Sequence, residues 1–167
     1  MKRKLPNCLI FLNEQYLSPA QKELIDDGII LLNQIAKDKS FILSDYSFIV
    51  APFAKAYEGF LKKMFLDLNL ISERDYYSKN FRVGKVLNPN LRRRGFSVYR
   101  QLENMGGDEA KLAEILWNAW KEGRNQIFHY FPKNLQKLSL NQAEQRINQI
   151  VFAIEQANSV LDKYLQS

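Results

Sequence analysis

The residues best suited to chemistry lie close together in the segment from Glu122 to Pro132. The only histidine of the chain, His129, stands five residues after Arg124 and four after Asn125. An imidazole exchanges protons near neutral pH, and a guanidinium stays charged and binds phosphate oxygens in pairs. This pattern favours acid–base chemistry at a phosphate. Judged by spacing alone, His129 is more often a helix cap or a half-buried filler, and Arg124 a solvated charge.

One long helix is expected to carry these residues. Apolar residues recur at three-to-four spacing over 112–130, which predicts a helix that begins near Asp108. The helix should end before or at Phe131, because Pro132 disfavours helical geometry in the residue before it. His129 would then lie in the last turn, where the helix dipole favours a protonated ring.

The spacing of the polar residues sets a geometric problem. On a regular helix Asn125 and His129 are four apart and can touch, whereas Arg124 and His129 stand about 140° apart around the axis. Three explanations stay open. Gly123 permits a local distortion, or the substrate spans both side chains, or two copies of the helix face each other across a dimer axis.

Amphipathic periodicity predicts four long helices and an all-α bundle. Serine or proline residues mark the starts of several of these helices. Turn residues interrupt the apolar periodicity between 72 and 107. In that segment we expect short helices, one of them from Phe96 to Glu103. We treat 1–167 as a single domain. The long helices are expected at 18–37, from Ser44 or Pro52 to Ile71, and from Asp108 to Phe131 at most. The last should run to about Leu165 from a cap at Ser139, with Asn141 as a rival cap.

Positive charge is concentrated in one segment. Between Phe81 and Gln101 there are six basic residues and no acidic ones, which equals the whole net charge of +6. Such a segment favours a polyanionic partner, with nucleic acid first and acidic protein second. Phe96 and Tyr99 are available for stacking on bases. The residues expected to contact RNA are Lys85, Arg92, Arg93, Arg94 and Arg100, although an ordinary solvated loop explains the arginine cluster equally well.

Several classes of protein are disfavoured. The single cysteine, Cys8, cannot form an internal disulfide, and it lacks the partners of a zinc site. No stretch reaches the roughly 18 apolar residues of a membrane span, and the run from Cys8 to Leu12 is too short for a signal peptide. A glycine-rich phosphate loop is missing. We therefore expect a cytoplasmic protein without metal, cofactor or membrane contact.

The run from Arg124 to His129 resembles the arginine–histidine motif of the HEPN superfamily, including the polar residue after the arginine. The stretch from Ala54 to Met64 is similar to the helix that carries a functional glutamate in the RnlA/LsoA toxin branch, and the glutamate here is Glu58. The resemblance covers about 45–165. It implies a HEPN-like helical bundle that forms a homodimer through the Arg124–His129 helix.

The resemblance also implies an activity, that of a metal-independent RNA endonuclease acting as a toxin or a phage-defence effector. Arg124 would stabilise the charge on the phosphate, and Asn125 would orient His129 or the phosphate. His129 would activate the ribose 2′-hydroxyl or protonate the leaving oxygen. Glu58 would assist proton transfer or fix a basic group, unless it merely pairs with Lys62 on the surface.

Two other interpretations belong to different classes. The chain could be a non-catalytic HEPN-like module that binds nucleic acid or an acidic protein. It could also be a toxin held dormant by an acidic antitoxin, which the basic surface would suit.

Overall fold

The computed structural model describes residues 12–37, 42–91, 95–129, 132 and 136–165. Within these ranges all regular secondary structure is helical, which confirms the predicted all-α class. The helices are α1 Pro19–Lys37, α2 Ser47–Asp67, α3 Glu73–Tyr77, α4 Val83–Val86, α5 Val98–Met105, α6 Gly107–Trp120 and α7 Leu140–Leu165, with a 3-10 turn at Pro89–Leu91 and a π-helical turn at Lys121–Asn125.

Helix α2 is the centre of the bundle. It packs against α1 and α7, and its C-terminal half contacts α3 and α4, while α6 packs against α5 and α7. The buried hydroxyl of Tyr57 donates a hydrogen bond to the Leu116 carbonyl over 3.1 Å and so ties α2 to α6. Burial raises the pKa of Tyr57 well above its ordinary value. Apolar residues that recur at three-to-four spacing along α2 form the core, with Ile49, Phe53, Tyr57, Phe60 and Met64 all buried.

Local sequence explains where α1 and α7 begin. At each start a serine oxygen accepts a hydrogen bond from the third helical amide, and the side-chain oxygen of the glutamine at that position accepts one from the serine amide. These reciprocal capping boxes pair Ser18 with Gln21 and Ser139 with Gln142. The predicted starts of both helices are confirmed.

Helix α2 is shorter than predicted. It begins at Ser47, so Pro52 lies inside the helix and does not start it. It ends at Asp67 and not at Ile71, because Asn69 adopts a left-handed conformation with φ 54°. The amide of Leu70 then bonds to the Phe65 carbonyl, which closes the helix as a glycine would.

The connection between α2 and α6 contains short helices, as predicted. Helix α5 runs from Val98 to Met105, two residues later than the expected Phe96–Glu103. Ser97 explains this start, since its hydroxyl accepts a hydrogen bond from the Arg100 amide. Gly84 of α4 leaves room for Trp120 of α6, whose indole nitrogen would lie 2.5 Å from a Cβ there.

An ion pair between a buried carboxylate and an exposed lysine joins the start of α6 to the end of α7. The Glu109 side chain is 3% exposed, and one of its oxygens lies 2.6 Å from Lys163 Nζ. The hydrogen bond from Lys163 lowers the pKa of Glu109, although burial acts in the opposite direction. Within the described ranges, no helix is both long enough and apolar enough to cross a membrane.

Candidate active site

The helix that carries the motif is not regular at the motif. Helix α6 ends at Trp120, and the π-helical turn Lys121–Asn125 follows, with the Gln126 amide bonded to the Lys121 carbonyl over 3.0 Å. Residues 126–129 then form turns and bends. The helix thus ends before Phe131, within the predicted limit, but the expectation that His129 lies in its last turn is wrong. Isolated π-helical turns frequently mark functional sites.

Gly123 sits in the middle of this π turn, against α7. A Cβ at Gly123 would lie 2.9 Å from the Cδ1 and Cγ1 atoms of Ile150 and 3.7 Å from the Arg146 carbonyl oxygen. A residue without a side chain therefore lets the Ile150 side chain pack directly against the backbone of the turn. Three explanations were open for the wide separation of Arg124 and His129 around a regular helix. The structure shows the first of them, a local distortion of the helix at Gly123.

Polar contacts also hold the same turn against α7. Glu122 forms an ion pair with Arg146 of α7, and its Oε2 atom also accepts a hydrogen bond from Gln149 over 3.0 Å. Arg146 in turn donates to the Gln149 side chain. The π turn is thus fixed to α7 by the Gly123–Ile150 contact and by this three-residue network.

The π turn directs Arg124 towards α2. Its Nη2 atom lies 3.4 Å from Oε2 of Glu58, and both side chains are about one third exposed. The guanidinium carbon lies 5.0 Å from the Trp120 ring centre and 5.8 Å from that of Phe128, both within cation–π range. Arg124 is therefore held by one carboxylate and two aromatic rings, while part of its surface faces solvent.

Glu58 pairs with Arg124 and not with Lys62, the partner expected from simple surface pairing. Lys62 instead lies 5.8 Å from the ring centres of both Tyr76 and Phe81. The two sequence segments that carry the HEPN resemblance therefore meet through Glu58 and Arg124. Of the two roles considered for Glu58, this contact suits the fixing of a basic group.

Arg124 and Glu58 border an open cleft of about 250 Å³. Two small residues of α2, Ala51 and Ala54, make room for it. Phe128 also lines the cleft with a half-exposed ring, and Lys55 contributes an exposed amine. The cleft thus combines an apolar lining with two cations and one carboxylate.

The second half of the motif, Asn125 and His129, is not among the residues that line this cleft. The amide oxygen of Asn125 is 3.2 Å from Nε2 of His129, which agrees with their four-residue spacing. His129 is exposed to solvent, whereas Asn125 is half-buried. No hydrogen bond joins Arg124 to His129 within the described part of the chain. Arg124 is instead held by Glu58, whereas Asn125 and His129 contact each other.

Two of the five residues expected to bind RNA can be located. Lys85 of α4 and Arg100 of α5 are both exposed, while Arg92, Arg93 and Arg94 lie outside the described residues. Lys85 lines a second cleft of about 460 Å³ together with Arg82 and the exposed ring of Phe96. Tyr99 was expected to be free for stacking, but its ring is buried in the core.

Three residues of the site were not singled out by their sequence pattern. Lys55 and Phe128 line the main cleft, and Trp120 lies against the Arg124 guanidinium. Trp120 precedes Arg124 by four residues, and on a regular helix this spacing brings two side chains together. That spacing is the sequence signal that could have placed Trp120 beside Arg124. No comparable spacing in the sequence links Lys55 to Phe128.

No protein-family model, no curated protein and no solved structure matches this chain.

Proposed function

We propose that this chain is a metal-independent RNA endonuclease of the HEPN type. The observation that carries the proposal is the ion pair between Glu58 and Arg124 at the edge of an open cleft. The Asn125–His129 pair follows directly in the chain. A permanently charged group for phosphate and a titratable ring for proton transfer thus belong to one short turn.

The proposed reaction is an internal transfer at one phosphodiester. The ribose 2′-oxygen attacks the adjacent phosphorus and loses its proton, and the bond from phosphorus to the 5′-oxygen breaks. The 5′-oxygen gains a proton. The products are a 2′,3′-cyclic phosphate and a 5′-hydroxyl end, and neither water nor an oxidant is consumed.

Arg124 has the role of stabilising negative charge on the phosphate oxygens as the fifth bond to phosphorus forms. A guanidinium donates two parallel hydrogen bonds to such oxygens and keeps its charge at any working pH. Its position between Glu58 and Trp120 fixes the donor geometry before substrate arrives. Fixed donors of this kind lower the barrier because they need no reorganisation during the reaction.

His129 has the role of moving the proton, either from the 2′-hydroxyl or to the leaving 5′-oxygen. The hydrogen bond from its Nε2 atom to Asn125 orients the ring. Solvent exposure of His129 leaves the ring accessible to a bound strand. Glu58 acts through Arg124 as a positioning residue and does not need to touch the substrate.

A homodimer completes the proposal. Two copies of the Glu122–His129 segment facing each other across a twofold axis would give one composite cleft with two arginines and two histidines. This arrangement suits the lack of a direct Arg124–His129 contact within one chain. A toxin or phage-defence effector controlled by an acidic antitoxin, working in the cytoplasm, is the biological role that the HEPN resemblance suggests.

The test is cleavage of RNA by the purified protein in excess EDTA. Wild type should cleave, while the Arg124→Ala and His129→Ala variants should be slower by at least about 100-fold. Circular dichroism of both variants checks that they remain folded. Wild-type protein that leaves RNA intact, or cleaves only when a divalent metal is added, would overturn the proposal.

A non-catalytic module that binds nucleic acid is the second candidate, and the cleft lined by Arg82, Lys85 and Phe96 favours it. It predicts that wild type binds RNA without cleaving it. Charge reversal at Lys85 and Arg100 would then abolish binding, and His129→Ala would change nothing.

A further inference from the structure

The main cleft has a chemical character that the proposed reaction does not use. Besides Arg124 and Glu58, it is lined by the small apolar residues Ala51 and Ala54 and by Phe128, which remains 50% exposed. A half-exposed aromatic ring next to an apolar recess is a stacking surface for a planar group.

The charges of the cleft specify what accompanies this planar group. Lys55 is exposed, and it forms no ion pair with any described carboxylate. Glu58 is already engaged by Arg124, so Lys55 is available for an external anion. A planar group next to an anion, with the motif arginine alongside, matches the base and phosphate of one nucleotide.

We infer that this cleft holds one unpaired nucleotide of single-stranded RNA, with its base stacked on Phe128 and its phosphate contacted by Lys55. The inference rests on the proposed function for the identity of the ligand, and it adds the substrate class. A base within a duplex has both faces covered by its neighbours, so Phe128 could not stack on it. The enzyme would therefore select single-stranded RNA over duplex.

The test separates binding from cleavage. The probe is a fluorescein-labelled 2′-O-methyl RNA strand, which keeps its bases and phosphates but has no free 2′-hydroxyl to attack. Fluorescence anisotropy should show that Phe128→Ala binds it about tenfold or more weakly. Phe128→Trp should retain binding, whereas Phe128→Leu should not, because leucine fills space without offering an aromatic face.

The role of Lys55 is tested by the salt dependence of binding. The variant Lys55→Ala should weaken binding and lower the slope of log affinity against log salt concentration by about one. Two matched controls lie outside the cleft: Phe152→Ala removes another half-exposed ring on α7, and Lys111→Ala removes a surface lysine of α6. Both controls should bind as wild type does.

The outcomes distinguish this inference from the proposed function. If wild type cleaves RNA and Phe128→Ala binds the probe with wild-type affinity, the inference is overturned while the endonuclease stands. If RNA stays intact but binding still depends on Phe128 and Lys55, the nucleotide site stands and the endonuclease falls. If Phe128→Ala weakens the binding of a blunt duplex probe as much as that of the single-stranded probe, the preference for single strands is overturned.

Discussion

The Arg124 guanidinium lies 3.4 Å from the Glu58 carboxylate and thereby joins the motif turn to the middle of α2. Both side chains are about one third exposed, so solvent screens the pair and a phosphate can reach it. An ion pair in this setting contributes little to stability. Its main physical consequence is the orientation of Arg124.

The first prediction follows from that contact. Replacing Glu58 by glutamine keeps the shape but removes the charge, so we expect cleavage to slow by up to about 100-fold through loss of Arg124 alignment. The free energy of unfolding should change by only about 0–1 kcal/mol. RNA cleavage rates and urea denaturation provide the two measurements. Lys62→Ala is the control, and an effect of Lys62 equal to that of Glu58 would contradict this pairing.

The second prediction concerns Gly123. Alanine there would place its Cβ 2.9 Å from Ile150, a buried core residue, so we expect a loss of about 1–3 kcal/mol in the free energy of unfolding. The matched control is Gly59→Ala in α2, where the nearest atom is the amide end of the flexible Gln21 side chain, at 2.8 Å. That change should alter the free energy of unfolding by no more than about 1 kcal/mol, because the higher helix propensity of alanine offsets the shift of the Gln21 amide, whose oxygen accepts from the Ser18 amide.

A second substitution tests whether the contact with Ile150 causes the loss of stability in Gly123→Ala. Ile150→Val removes the Cδ1 atom, one of the two atoms that a Cβ at Gly123 would meet. The double variant should therefore lose less stability than the two single changes together predict. Strict additivity of the two changes would mean that the contact with Ile150 does not explain the glycine.

The third prediction is a dependence on pH. Because the pKa of Glu109 is lowered in the folded state, its charge contributes stability above its unfolded pKa of about 4.3, and this is lost as the pH falls through the lowered value. Glu109→Gln should therefore destabilise the protein by about 1–3 kcal/mol at pH 7. Urea denaturation should show the difference from wild type shrinking in strong acid.

The control for this prediction is Asp108→Asn on the same helix. Asp108 pairs with Lys111 over 3.3 Å, but both side chains are more than three quarters exposed. Its replacement should change stability very little at either pH. A loss at Glu109 that persists unchanged in acid would show that shape, and not charge, is responsible.

The fourth prediction concerns the proposed dimer. A heterodimer of one Arg124→Ala chain and one His129→Ala chain keeps one intact arginine and one intact histidine on opposite sides of the axis. If the site is composite, the heterodimer should cleave RNA although each variant alone does not. Co-expression with two affinity tags supplies the material. Equal inactivity of the heterodimer and the parent variants would argue against a composite site.

The helices were predictable because periodicity and capping are local properties. The starts of α1 and α7 follow from Ser18 and Ser139 with their returning glutamines, and the core stripe of α2 follows from its spacing. The end of α2 was not predictable from periodicity, because it depends on the left-handed backbone of Asn69.

The candidate site was predictable in part. The contact between Asn125 and His129 follows from spacing within one chain segment. The π turn does not, since it arises where the backbone at Gly123 meets Ile150 of α7, a long-range contact. For the same reason the joint lining of one cleft by Lys55 and Phe128 needed the fold.

The most direct test of the central claim uses one RNA strand and a copy in which the ribose at the cleaved position lacks its 2′-hydroxyl. Both are incubated with wild-type protein in excess EDTA, and the product ends are identified by mass spectrometry. We predict that the all-ribose strand is cut to a 2′,3′-cyclic phosphate and a 5′-hydroxyl, while the deoxy copy stays intact at that position. Cleavage of the deoxy position, or an intact all-ribose strand, would contradict the account.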